Sequence, residues 1–148
     1  MNIRKVKKSD LGELIKIKIL ESKDYRLMLG RLIKKPKEKE IRKDLEKMFK
    51  NKKEVLFVAE EKGIKGYIHL SIYKNYWNSG IFIEDLFVTK EQRNKGFASK
   101  LIKEAIKIKR ERKLKEVSLN VSTKNKKAIK LYQKMGFNLT HHTMKKLK

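Results

Sequence analysis

The stretch Glu84 to Ile102, "EDLFVTKEQRNKGFASKLI", places two carboxylates, Glu84 and Asp85, in an apolar run that leads into a basic, glycine-containing turn. A carboxylate in such a run is costly to bury without a partner, so it points to an open cleft, where it can act as a general base. Strand alternation puts Glu84 on the face of Leu86 and Val88 and Asp85 on the other, so only one of the pair looks into a site. The plainer reading of Glu84 is a carboxylate serving a neighbouring lysine. Behind the strand, Arg93, Lys95 and Gly96 precede an amphipathic run beginning at Phe97. The first amides of a helix have no intrahelical partner, its dipole favours anions there, and a glycine lets the backbone approach a ligand closely. In physical terms the turn is a phosphate cradle. It carries neither the Gly-Lys-Ser/Thr ending of a P-loop nor a GxGxxG pattern, and an ordinary strand-to-helix turn is the competing reading.

The elements that must position these residues can be read from periodicity. "NIRKV" reads as a first strand, followed by a helix capped by Ser9 or Asp10 with Leu11, Leu14, Ile15 and Ile19 on one side, although "IKIKI" also alternates like a strand. Nothing regular is assigned after Tyr25 and Gly30; Pro36 then opens a helix carrying Ile41, Leu45, Met48 and Phe49. "EVLFVAEE" and "GYIHLSIY" flank "KGIK" as a hairpin with Gly63 in the turn, and Ile81 to Val88 is a third run. A helix from Phe97 to Arg110, a strand "EVSLNV", a helix from Asn125 to Met135 closed by Gly136, and a last strand "FNLTHHTM" complete the chain. The order is β-α-α-β-β-β-α-β-α-β: a mixed α/β fold read as one domain over residues 1–148, with one strand–helix–strand crossover.

Two motifs carry a resemblance. Arg93-x-x-Gly96-x-Ala98 resembles the Q/R-x-x-G-x-G/A signature of the GNAT superfamily of acetyl-CoA-dependent N-acetyltransferases, and "NKKAIKLYQKMGF" resembles that family's second block through Asn125, Ala128, Tyr132 and Gly136-Phe137. "IEDLFV" is similar to the same segment in the spermidine/spermine acetyltransferase branch. The resemblance implies a mostly antiparallel sheet with a central, splayed parallel strand pair flanked by helices. It implies acetyl-CoA as acetyl donor, with its pyrophosphate on the loop Arg93, Asn94, Lys95, Gly96, Phe97, Ala98 and Ser99. Its pantetheine arm is expected along Leu86, Phe87 and Val88, the Val88 amide facing the thioester oxygen. Asn120, Asn125 and Ala128 complete the implied cofactor set. Tyr132 matches the tyrosine that protonates the departing thiolate, against the alternative of a core tyrosine on an apolar helix face, and Glu84 matches the group that handles the amine. The implied reaction is direct attack of a primary amine on the thioester. Acetylation of protein N-termini or lysines, and a non-catalytic acyl-CoA- or RNA-binding module, are the alternatives.

Composition bounds the partners. The 148 residues hold 41 Lys and Arg against 17 Asp and Glu, a net charge of +24, and no cysteine. Disulfides and thiolate metal sites are excluded, and no metal is assigned to His69, His141 or His142. The lysines are spread along the chain, so the charge fits either a heavily solvated surface or a weak nucleic-acid or ribosome association. With no apolar run of about 18 residues and no signal-like segment, a cytoplasmic protein without membrane contact is expected; a homodimer stays open. Lys90, Arg93 and Lys95 set against Glu84, Asp85 and Glu91 favour a monoamine, such as an amino-acid-like acceptor with a carboxylate, over spermidine. Tyr25, Tyr73, Tyr76 and Trp77 are candidates to wall the acceptor pocket.

Overall fold

The computed structural model describes residues 1–29 and 34–141. Its elements run β1 (Asn2–Lys5), α1 (Leu11–Leu29), α2 (Glu38–Lys50), β2 (Glu54–Glu60), β3 (Ile64–Lys74), β4 (Ser79–Val88), α3 (Phe97–Glu111), β5 (Glu116–Leu119) and α4 (Lys126–Lys134). The strands form one sheet in the order β1-β2-β3-β4-β5, antiparallel throughout except for the parallel pair β4–β5. That pair is joined by α3, the one crossover the sequence predicts.

Two apolar layers sandwich the sheet. On one side Ile68, Leu70, Ile81, Ile83 and Val88 pack against Phe97, Leu101, Ala105 and Ile108 of α3. On the other, Leu56, Val58, Tyr67 and Phe87 pack against Leu14, Ile15 and Ile17 of α1 and Ile41 and Leu45 of α2. With Ile17 buried along with Leu14 and Ile15, the "IKIKI" ambiguity resolves as helix. Burial in a tertiary layer overrides local strand alternation.

Several local expectations are corrected. α1 runs on past Tyr25 to Leu29, and Gly30 lies outside the described residues. Asp10 does not reach forward into α1; it accepts the Lys7 amide at 2.7 Å and both terminal nitrogens of Arg4, at 2.7 and 3.0 Å, in a short 3-10 turn before the helix. α2 starts at Glu38, with Lys37 as its cap and Pro36 just ahead of it. The hairpin turn falls on Lys62 and Gly63, both at positive φ. Residues 137–141 form no strand, so His141 is not in one, and the rest of the expected last strand, with His142, lies outside the described residues. Among the described residues no helix is long and apolar enough to cross a membrane.

Candidate active site

β4 and β5 pair only from Gly80–Glu116 to Ile83–Leu119, so beyond Ile83 the β5 side of β4 has no strand partner among the described residues. The direction of its free groups follows from the β3 ladder. The Thr89 amide donates to the Lys65 carbonyl at 2.8 Å, and hydrogen-bonding direction alternates along an antiparallel strand. The Leu86 and Val88 amides therefore point away from β3, into the opening that β5 leaves. Phe87 points its side chain into the α1–α2 core.

After Val88 the chain makes a 3-10 turn, Lys90–Gln92, and enters α3 through Gly96 at φ 82°. Asn94 also has positive φ, 63°. The Lys100 amide, on the Gly96 carbonyl at 3.0 Å, is the first of α3 to find a helical acceptor, and no side chain caps this end. Among the described residues the amides of Asn94, Lys95, Gly96, Phe97, Ala98 and Ser99 thus have no protein acceptor. A Cβ at Gly96 would meet nothing within 4 Å, so the space before these amides is open. This fits an extended phosphate-bearing ligand.

Arg93 is turned elsewhere. Its Nε donates to the Val88 carbonyl at 3.0 Å and its terminal nitrogen pairs with Asp24 of α1, which also holds Lys90 at 3.2 Å. Burial alone would raise the Asp24 carboxyl, but the bonds from Arg93 and Lys90 hold it below its usual range. Arg93 therefore locks the end of β4 to α1, and two of the three cations weighed against Glu84 are engaged away from it.

The two carboxylates of β4 do not lie as alternation predicts. His69 of β3 stands opposite Asp85 and Leu70 opposite Ile83, so Glu84 is the extra residue of a β-bulge. Ser71, between Leu70 and Ile72 of the α3-side core, faces the other way, and its hydroxyl donates to Glu84 Oε1 at 2.6 Å. Asp85 accepts from Lys18 of α1 at 3.0 Å. Glu84 and Asp85 thus share the α1 face, while Leu86 and Val88 join Ile81 and Ile83 on the α3 face. Glu84 is exposed, at the first position of β4 beyond its last rung with β5.

Around Asp85 the α1 face carries residues the sequence reading did not assemble. Lys18 donates to the Tyr67 hydroxyl at 2.7 Å, and that hydroxyl donates to Glu21 at 2.5 Å. His69, 6% exposed, places Nε2 2.5 Å from Glu54 and Nδ1 3.8 Å from Asp85. Burial pulls the imidazole down, but Asp85 and Glu54 outweigh it and raise its pKa; burial lifts Asp85, but His69 and Lys18 outweigh it and draw it to about 2. Glu21 is raised by burial in spite of Lys18. The available signal was "GYIHLSIY", whose alternation puts Tyr67, His69 and Ser71 on one face.

On the far side of the opening, Asn125 caps α4 with Oδ1 accepting the Ala128 amide at 3.2 Å, which leaves its Nδ2 for other partners. Asn120 is exposed just after β5. Tyr132 is half-buried edge-on to Phe137 at 5.7 Å, and burial pushes its phenol up to about 12. Tyr73 donates to Glu116, Tyr25 is half-exposed on α1, and Tyr76 and Trp77 project from the β3–β4 hairpin tip at 91% and 82% exposure, so these aromatics do not form one wall. Among the described residues no group of three or more His, Asp or Glu is placed to hold a metal ion.

Comparison with known proteins agrees with this geometry. The model of the acetyltransferase (GNAT) family matches residues 18–137. A stretch of 69 residues is 32% identical to thialysine N-epsilon-acetyltransferase of Sus scrofa, covering 47% of this chain and 41% of that protein, so the match spans under half of that relative. The fold is shared with the tetramutant of the BH1408 protein of Bacillus halodurans (TM-score 0.91, 16% identity, all of both chains). It is also shared with aminoglycoside 6'-N-acetyltransferase AAC(6')-Ig of Acinetobacter haemolyticus (TM-score 0.77, 18% identity, 100% of this chain and 98% of that one). AAC(6')-Iy, solved with the bisubstrate analog CoA-S-monomethyl-acetylneamine, gives a TM-score of 0.78 at 22% identity over 99% of this chain and 97% of that one. The chain belongs to the acetyltransferase (GNAT) family.

Proposed function

We propose that this chain transfers acetyl from acetyl-CoA to a primary amine of a small, amino-acid-like acceptor by direct attack. The observation that carries the reading is the run of free amides from Asn94 to Ser99, set beside the open edge of β4. In this reading the amides and the α3 dipole hold the pyrophosphate, and the outward groups of Leu86 pair with the pantetheine arm, the Val88 carbonyl being held by Arg93. The Val88 amide, fixed in direction by the β3 ladder, lies where it can donate to the thioester oxygen as charge develops there.

Proton handling falls to two side chains. Glu84, exposed at the splay, takes a proton from the incoming ammonium through water. Tyr132, neutral at any physiological pH with its phenol near 12, cannot pass a proton downhill to a thiolate of pKa about 8.5. It acts as a hydrogen-bond donor to the departing sulfur, and its proton moves only as the acidified amine nitrogen resupplies it.

The acceptor class rests on one support. The pig relative is named for thialysine, an amino-acid-like amine. Against it, charge no longer favours a monoamine over a polycation, because Lys90 and Arg93 bind Asp24 while Glu54, Glu84 and Asp85 share the α1 face. Spermidine is therefore the informative competitor. The test is thiol release from acetyl-CoA across amino acids, polyamines, aminoglycosides and peptides. Amino-acid-like amines should give the highest kcat/KM, and Glu84→Gln should shift activity to higher pH. No thiol release with any amine would remove the reading.

A further inference from the structure

The reaction just proposed, on which this inference rests, must discharge a proton. An ammonium acceptor loses two protons as its N–C bond forms and the C–S bond breaks, the bonding pair leaving with sulfur. One proton ends on the thiolate, and the other has to reach solvent. Glu84 is exposed in the free protein, but bound donor and acceptor would cover it at the moment the proton must leave. We propose that Asp85, His69 and Glu54 form a relay that carries this proton from Glu84, under the sheet, to solvent at the opposite side of the α1–α2 face.

The bulge sets Glu84 and Asp85 on one face, one held by Ser71 and the other by Lys18, and a water bridging the two carboxylates makes the first link. The second link is His69, whose two nitrogens look at two carboxylates: Nδ1 at Asp85, 3.8 Å away, and Nε2 at Glu54, 2.5 Å away. Nδ1 is buried and has no hydrogen-bond partner among the described residues, so a small movement of the ring toward Asp85 completes the path. The third link is the exit. Glu54 lines an open cavity of about 200 Å³ with Asp44, Lys47, Met48 and Asn51, between α2 and the start of β2. A proton entering at Asp85 and taken up on Nδ1 is matched by one released from Nε2 to Glu54. The imidazole then returns to its starting charge as the opposite tautomer, and a half-turn of the ring restores the starting arrangement before the next turnover.

The titratable groups around the ring come from every packed element. They are Glu54 from β2, Tyr67 from β3, Glu84 and Asp85 from β4, and Lys18 and Glu21 from α1, with Asp44 and Lys47 of α2 at the exit. Lys18 pins Asp85 and keeps it ionised, so Asp85 passes a proton on without storing it. Its two carboxylates favour the protonated form of His69 against burial, so the ring can hold the proton in transit.

The test compares kcat–pH profiles of the intact enzyme with those of His69→Gln and Glu54→Gln, neither of which is placed against substrate. Both variants should lose about 10-fold in kcat near pH 6.5 and approach the wild type above pH 9, where free amine needs no relay, with KM for acetyl-CoA unchanged. A purely structural role would lower activity equally at every pH. If His69→Gln fails to fold, Glu54→Gln and the NMR titration of His69 decide: the imidazole should titrate at lower pH in Glu54→Gln and in Asp85→Asn. Profiles parallel to the wild type, or a His69 titration indifferent to both carboxylates, overturn the relay. A wild type that acetylates no amine while His69 stays coupled to Glu54 and Asp85 overturns the transferase reading instead.

Discussion

On the α3 side of the sheet, the buried side chains from Phe57 to Ile108 are apolar without exception. On the α1–α2 side the same strands bury Tyr67 and Phe87 but also hold His69 between Glu54 and Asp85. Neighbouring residues of β3 serve opposite ends: Ile68 and Leu70 seal one layer, and His69 between them sits in a network of charges. A two-sided sheet can thus keep one core purely apolar and admit paired charges beside the apolar core of the other face. The charges tolerate burial only because each has a partner, which ties their geometry to α1.

That division makes Leu101→Ala the largest expected effect. Leu101 is fully buried against the sheet, and its truncation should cost about 3 kcal/mol in urea unfolding with an unchanged m-value. Its kcat–pH profile should keep the wild-type shape; a changed shape would mean that the faces are not separate. Gly96→Val comes next. A β-branched residue at φ 82° should cost about 1–3 kcal/mol, and its side chain would enter the open space before the free amides. The rise in Tm that acetyl-CoA gives the wild type should vanish, and a retained shift would displace the cradle from α3. On the polar face Tyr67→Phe removes one hydroxyl shared by Lys18 and Glu21, for about 1 kcal/mol in stability. If it destabilises as much as Leu101→Ala, the polar face is structural first.

The smallest effect is one that acid removes. Bonds from Arg4, outweighing the upward push of burial, hold the Asp10 carboxyl below its usual value. A depressed carboxylate contributes stability that is complete above the unfolded value near 4 and is lost as pH falls through the native one. Asp10→Asn should therefore lower stability by about 1 kcal/mol at pH 7, and its deficit should shrink below pH 4 in parallel melts. A deficit that persists at low pH would assign Asp10 a packing role.

How much of this was legible in sequence varies with the range of the cause. The glycine-led start of α3 and the order of elements as far as α4 follow from local patterns that the fold respects. The shared face of Glu84 and Asp85 was missed because β4 is apolar on both sides, so its alternation reveals no register. A shift in parity was nonetheless present, with Ile81 and Ile83 on odd positions and Leu86 and Val88 on even ones. The His69 network joins residues from four elements, and no spacing along the chain could announce it. Asn125 shows the reverse: its spacing to Ala128 is legible as a helix cap without reference to any ligand.

The bulge at Glu84 also changes what insertion and deletion mean for this strand. Because the extra residue is accommodated without moving Leu86 or Val88 off the α3 side, a chain shortened by that one position would have its apolar residues in strict alternation after Ile83. Loss of residue 84 would then leave a more regular ladder and an undisturbed core. Added chain length within a strand usually threatens the fold; here the surplus residue is one the core can lose, and the proposed reaction cannot.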